Sequence, residues 1–310
     1  MPSPAQSPAP STQWITFGTS GGPAVQVQRS QIANALLVNG AIYLFDLGNG
    51  VQRQMALAGL PENAIKAVFL SHHHLDHNAD LGPIIMTRWT FFPSPLPIFG
   101  PQGTAALATG LARSNAPTEL AGFPTFGPAK PTAESLIRAV DLPSGLSAQK
   151  LVFEDENVRI WAIGVDHFQV PPSVALPHLP DAVAYRVEAG GRTFVFTGDS
   201  GPSSRLTELA RGADVLVTEV VEPEGIAASL AQMMKGAPAA ARDSIVNGMT
   251  RNHLTPRIIG EMAQKAGVKH VVLTHFVPSP ESVADQSIYR REIAVNYDGP
   301  VSLANDLDRF

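Results

Sequence analysis

Ser71-His72-His73-His74-Leu75-Asp76-His77-Asn78-Ala79-Asp80-Leu81-Gly82 packs four of the chain's nine histidines into a single short stretch. It has the form His-x-His-x-Asp-His, filled by His72, His74, Asp76 and His77, with His73 in one variable slot. Neutral imidazole and carboxylate are the donors that borderline divalent ions accept. In an extended segment alternate side chains point the same way, so His72 and His74 can grip one ion. Asp76 and His77, past the strand end, can turn toward a second. The bland alternative, a polar loop of solvated histidines, accounts for the residue types but not for their spacing. The preceding Ala67-Val68-Phe69-Leu70 is an apolar β-type run, and sites in open α/β sheets form beyond the carboxyl ends of strands.

The stretch resembles the metal-binding motif of the metallo-β-lactamase superfamily, and the rest of that pattern is found in order. The third histidine of the family matches His167 in Val165-Asp166-His167. The bridging aspartate matches Asp199 in Phe196-Thr197-Gly198-Asp199-Ser200, and the last histidine matches His275 in Val271-Val272-Leu273-Thr274-His275. The resemblance covers residues 16–276. It implies that His72, His74 and His167 bind one metal, that Asp76, His77 and His275 bind the other, and that Asp199 bridges them. The fold it implies is α/β, a four-layer αββα sandwich.

Within the superfamily the nearest likeness is to the ribonuclease Z and arylsulfatase-like branch. Phe17-Gly18-Thr19-Ser20-Gly21-Gly22-Pro23 resembles its Gly-rich opening, and Gly198-Asp199-Ser200 its Gly-Asp-Thr turn. Asp214-Val215-Leu216-Val217-Thr218-Glu219 resembles the strand ending in His-Glu-Ala-Thr, and His253-Leu254-Thr255 the His-Ser-Thr motif. Two departures stand out. Thr218 occupies the place of the first motif's His, although Glu219 is kept. The interval from His167 to Asp199 is also too short for the arm that tRNA-processing members carry there.

The activity implied is that of a dinuclear zinc hydrolase of broad substrate range, with Mn²⁺ or Fe²⁺ as alternative ions. A metal-bridging water acidified toward a pKa of about 7 would supply hydroxide to cleave phosphodiester or arylsulfate-like esters. Asp76 would ligate a metal and orient the nucleophile, while His253 and Glu219 would form a proton-delivering pair. The same metals would serve lactone or β-lactam ring opening, and an iron-loaded shell would serve sulfur or oxygen oxidoreductase chemistry.

Composition fits a compact enzyme. Of 310 residues, 44% are hydrophobic and 16% charged, which argues against disorder over most of the chain. The net charge of −5 and a pI near 6.0 lack the basic balance of a nucleic-acid binder. The expected partner is therefore a small-molecule ester, not nucleic acid and not a membrane, with a homodimer left open. There is no cysteine, which removes disulfides and Cys-ligated zinc but leaves the compartment open. Residues 1–12, rich in Pro, Ser, Ala and Gln, read as a disordered tail without the parts of an intact signal peptide. They look like the spacer that comes after a cleaved signal, so periplasmic, secreted and cytoplasmic origins all stay open.

Residues 13–310 are expected to form one domain. Strands are expected at 14–17, 35–38 and 42–45, the last two joined by the turn signal Asn39-Gly40, and at 97–99, 158–165, 183–187, 193–196 and 215–220. Helices are expected at 52–60, 81–89 and 103–113, and after Thr255-Pro256 with a Gly267 stop. Residues 115–130, with Phe123 and Phe126, read as a surface loop. Residues 222–248 form a helical, cap-like insertion in which Ile226, Leu230, Met233 and Met234 share a face, suited to core packing or to a substrate cap. Trp89, Phe91 and Phe92 are candidates for either core or pocket wall. His73 reads as structural, His270 as solvent-facing or capping and His178 as an overhang of the site, while Asp80 and Asp166 are expected to orient ligand imidazoles.

Overall fold

The computed structural model describes residues 12–122, 130–170, 176 and 178–310. Residues 1–11 of the expected tail lie outside them, as do Phe123 and Phe126; Thr12 already belongs to the first strand. Two sheets face one another. The first runs, in spatial order, β1 (Thr12–Gly18), β2 (Ala33–Val38), β3 (Ala41–Leu47), β4 (Ile65–Phe69), β5 (Leu96–Gly100) and β6 (Ile137–Asp141). β1, β2 and β3 pair antiparallel, and β3 to β6 pair parallel. Asn39 and Gly40, both at positive φ, make the expected tight turn between β2 and β3. The second sheet contains β7 (Lys150–Glu154), β8 (Val158–Gly164), β9 (Val183–Ala189), β10 (Arg192–Phe196), β11 (Val215–Val221), β12 (Val271–Val277) and β13 (Val301–Leu303), adjacent in that order. β7 to β10 are antiparallel and β10 to β13 parallel.

Apolar side chains sort these elements into layers. Trp14, Tyr43, Phe45 and Phe69 of the first sheet meet Ile160, Tyr185, Phe194 and Phe196 of the second in an aromatic seam. The outer face of the first sheet packs on α1 (Val51–Leu57), α3 (Leu81–Phe91) and α4 (Thr104–Ser114), through Met55, Leu81, Ile85, Trp89 and Ala108. α2 (Leu75–Asn78) is the single turn that carries Asp76 and His77, and α5 (Ala116–Ala121) lies where a loop was expected. The outer face of the second sheet packs on α6 (Ser204–Leu209), α9 (Pro256–Ala266) and α10 (Ser287–Ile293), through Leu206, Ile259, Met262 and Tyr289. The order is α/β/β/α. Each fully buried Leu, Ile or Phe in these seams contributes about 1.5–3 kcal/mol.

α7 (Pro223–Met233) and α8 (Ala239–Asn252) stand apart, joined by a small cluster of Ile226, Leu230, Met234, Val246 and Met249 on Val221 and Val277. Met233 does not share that face and is 75% exposed. Trp89 belongs to the core, donating to the Pro131 carbonyl, whereas Phe91 is exposed. Thr255, Pro256 and Gly267 bound α9 as expected, although the Thr255 hydroxyl makes no capping bond. Among the described residues, no helix is long and apolar enough to cross a membrane.

Candidate metal centre

The parallel strands of both sheets end along one edge, and the motif residues gather there. β4 delivers Ser71 and His72, and α2 then turns Asp76 and His77 inward. From the second sheet come His167 after β8, Asp199 after β10, Glu219 in β11 and His275 in β12. His72, His74, His167 and Asp199 can place one ligand atom each within 4.8 Å of one another, and so can Asp76, His77 and His275. His74 is the one exposed member, at the mouth of the cluster. Every residue expected to ligate is thus brought into one of two adjoining groups.

Two bulges aim the inner ligands. β11 and β12 pair Thr218 with Leu273 and Val220 with Phe276, so Thr274 and His275 oppose Glu219 alone. His275 takes φ +44 there, and a bulge of this kind re-aims a side chain next to a site. The same device operates in β3. Ala33 pairs with Leu47 and Asn34 with Phe45, which leaves Asp46 unpaired at φ +56. Its buried carboxylate accepts from Ser71 N, Ser71 Oγ and His77 Nδ1, each at 2.7 Å. The Ser71 hydroxyl is committed to Asp46, so His72 Nδ1 donates to Ser71 Oγ at 3.0 Å. His167 Nδ1 donates to the Asn252 carbonyl at 2.9 Å. These bonds fix the tautomers that leave Nε2 of His72, His77 and His167 facing the centre.

The residues fit a cation. His72 Nε2 lies 2.9 Å from His74 Nδ1, His74 Nδ1 3.3 Å from His167 Nε2, and His77 Nε2 3.2 Å from His275 Nε2. With Nε2 of His72 and His167 both bare, His74 Nδ1 can donate to only one of them, so at least one lone pair of the first group is unmatched, and a shared positive ion would accept all three. Asp199 Oδ1 is buried without a hydrogen-bond partner, while Asp199 Oδ2 is 3.5 Å from His77 and 3.4 Å from His275.

Protonation divides the centre. Burial holds His72 and His74 below the usual imidazole range and brings His167 down to about 4. Burial is the largest single influence on His77 and His275 and opposes their charge, but Asp199 together with Asp46 at His77, and together with Asp76 at His275, outweighs it, and both are raised. Against its own burial, the His275 bond takes Asp76 down to about 2. His253 stands beside both groups with its Nδ1 on Glu219 Oε2 at 2.5 Å. Burial again works against its charge, and the Glu219 carboxylate raises it to about 9. Glu219 Oε1 accepts from Ser200 N at 2.6 Å.

Other expectations need correction. Asp80 does not orient a histidine; it accepts from Gly50 N at 2.9 Å and holds the start of α1. Asp166 pairs with Arg205 at 2.5 Å. Their expected role belongs to Asp46 and to the Asn252 carbonyl. A lone acid in the otherwise apolar Ala41–Leu47 run was the available signal for Asp46; a main-chain carbonyl leaves none. Phe168 was also missed, and its ring packs edge-on against His72, His74 and His167. His73 turns away to Pro101 O and Thr104 Oγ1, His270 bonds Ser302, and His178 is exposed.

Two adjoining His/Asp groups at the carboxyl edge of an αββα sandwich define the class, a metal-dependent hydrolase. The chain matches the profile of the Beta-lactamase superfamily domain over residues 42–276, and it belongs to the metallo-β-lactamase superfamily. It is 31% identical over 300 residues to a protein named Ribonuclease Z from Mycolicibacterium paratuberculosis, covering 95% of this chain and 96% of the relative. A Ribonuclease Z of Mycobacterium sp. (strain KMS) is 28% identical, with 95% and 94% covered. Among solved structures, the short form of human tRNase Z superimposes with TM-score 0.65 at 20% identity, covering 96% of this chain and 98% of that one. The metallo-beta-lactamase fold protein YhfI of Bacillus subtilis gives TM-score 0.65 at 19% identity, with the same coverage. The relatives overturn the expectation that nucleic acid is not a partner. Whole-chain charge was a poor guide, because a net value says nothing about the surface that faces a substrate.

Proposed function

We propose that this chain is a dinuclear zinc phosphodiesterase acting on RNA. The observation that carries the reading is the His253–Glu219 pair beside the double cluster, in a chain that aligns over 95% of its length with proteins named Ribonuclease Z. His72, His74 and His167 would hold one ion, Asp76, His77 and His275 the other, and Asp199 both. Ions bound there supply Lewis-acid charge and an acidified water. The protein's own groups do the rest. Asp46 and Asn252 orient imidazoles, and Asp76 orients the nucleophile. His253, charged through Glu219, keeps Nε2 for the leaving oxygen and delivers its proton there. Residues 13–310 act as one domain, with α7 and α8 as a cap that ends at His253.

No observation favours arylsulfate, lactone or β-lactam chemistry, or iron, and these serve as arms of the test. Full-length protein loaded with zinc should cleave RNA oligonucleotides and bis(4-nitrophenyl) phosphate, lose both activities to a chelator and regain them with zinc. Turnover of nitrophenyl sulfate, a lactone or a cephalosporin without cleavage of RNA would overturn the assignment, as would stoichiometric iron in the purified protein.

A further inference from the structure

His167 differs from the other candidate ligands in the chain segment that carries it. His72 and His74 lead straight into α2, Asp199 is soon succeeded by α6, and His275 lies inside β12. The described residues after His167 enter no helix or strand before β9. Asp166 before it is held by Gly201 N at 3.0 Å and by Arg205, while His167 itself and Gln169 two positions on are held by the end of α8. The main-chain carbonyl of Asn252 accepts from His167 Nδ1 at 2.9 Å, and its side-chain Oδ1 accepts from Gln169 N at 3.0 Å. The carbonyl of Arg251 accepts from Gln169 Nε2 at 2.9 Å. Two consecutive residues thus grip the loop at three points, and the next residue is His253. α8 itself buries none of its residues; it leans on α7 through Val246 and Met249.

We propose that Asn252 is a positioning residue for the first metal, and that the docking of α8 thereby sets how firmly the His72–His74–His167 cluster holds its ion. One residue fixes both the tautomer of His167 and the path of the loop that carries it. Freed from these bonds, the imidazole can rotate or present its other nitrogen, and the first ion loses a ligand. The second ion has no such dependence, since Asp46 and α2 orient His77 from the opposite sheet and β12 itself carries His275. The inference rests on the dinuclear reading of the site.

The test uses full-length, zinc-loaded protein titrated with a chromogenic chelator, with the cobalt-substituted protein monitored by visible absorption. Wild type should hold two ions. Asn252→Ala keeps the main-chain acceptor of His167 but frees Gln169 N and with it the loop, so it should weaken one of them by up to about 10-fold, the lower end of the range for disturbing an outer partner of a ligand, and leave the other unchanged. Asn252→Asp, which keeps an acceptor for Gln169 N, should restore most of that affinity. Gln169→Ala, which spares Asn252 and α8, should weaken the same ion to a smaller degree. The cobalt bands should change for one site only. Unaltered affinity for both ions in Asn252→Ala and Gln169→Ala, or equal loss of both, overturns the role of Asn252 while the dinuclear reading stands. A wild-type chain that holds one ion overturns that reading and the inference with it.

Discussion

At the scale of single residues, the ligands were legible because their chemistry leaves few alternatives. His-x-His-x-Asp-His announces itself, and the resemblance supplies His167, Asp199 and His275. The supporting residues were not legible, because their roles depend on backbone geometry. Asp46 matters since a bulge turns it against Ser71 and His77. Asp46→Ala removes the acceptor of three buried donors, so the second ion should bind about 10–100-fold more weakly and thermal stability should fall; chelator titration and a melting curve check both. His253 is the complementary case, a residue beside the clusters and held in its charged form. His253→Ala should keep both ions yet lower turnover by about 10²–10⁴. The loss should be smaller for nitrophenolate leaving groups, which need little protonation. Equal losses for good and poor leaving groups, or a missing ion, would refute the proton-donor role. Replacing Glu219 with Gln should bring the His253 titration down from about 9, as read by imidazole NMR of the metal-free protein.

At the scale of elements, the strands that carry ligands were readable because they are largely buried and mostly apolar, Lys66 of β4 and Arg159 of β8 being their exposed residues. The edge strands β6, β7 and β13 were not, since half-exposed residues such as Arg138 and Leu151 blur their pattern. α5 was hidden by the Pro and Gly around it. The bulges were invisible as well, because an extra residue in a ladder changes pairing but not composition. The turn after β10 shows how tightly the elements are fitted. Gly198 has φ +53, and a Cβ there would come within 2.5 Å of the Ser71 Cβ, the residue that links Asp46 to His72. Gly198→Ala must combine backbone strain with a push on Ser71. A loss of about 1–3 kcal/mol is expected for such a position, read from denaturant unfolding, together with weaker metal retention. Stability equal to wild type would mean that the turn relaxes freely.

At the scale of the molecule, the centre lies across the seam between two sheets. His72, His74, Asp76 and His77 come from the first, and His167, Asp199 and His275 from the second, so bound ions tie the halves together. The two clusters are also prepared differently. In the metal-free protein near pH 7, the first holds histidines kept neutral by burial, with His167 at about 4, whereas the second holds His77 and His275 raised by Asp199 and its neighbours. Below the unfolded value of about 6.5, the first group binds fewer protons than the unfolded chain, so stability falls with falling pH. Above it, the raised histidines, with His253 at about 9, hold protons that the unfolded chain has lost, so stability falls with rising pH. The metal-free protein should therefore be most stable near neutrality. Metal binding requires deprotonated ligands, so the two ions should differ. Binding to the first cluster should vary little with pH around neutrality, while binding to the second should release protons and tighten as pH rises. Zinc titrations by calorimetry in buffers of different ionisation enthalpy would resolve the two steps. Equal proton release from both, or none from either, would contradict this division of the centre.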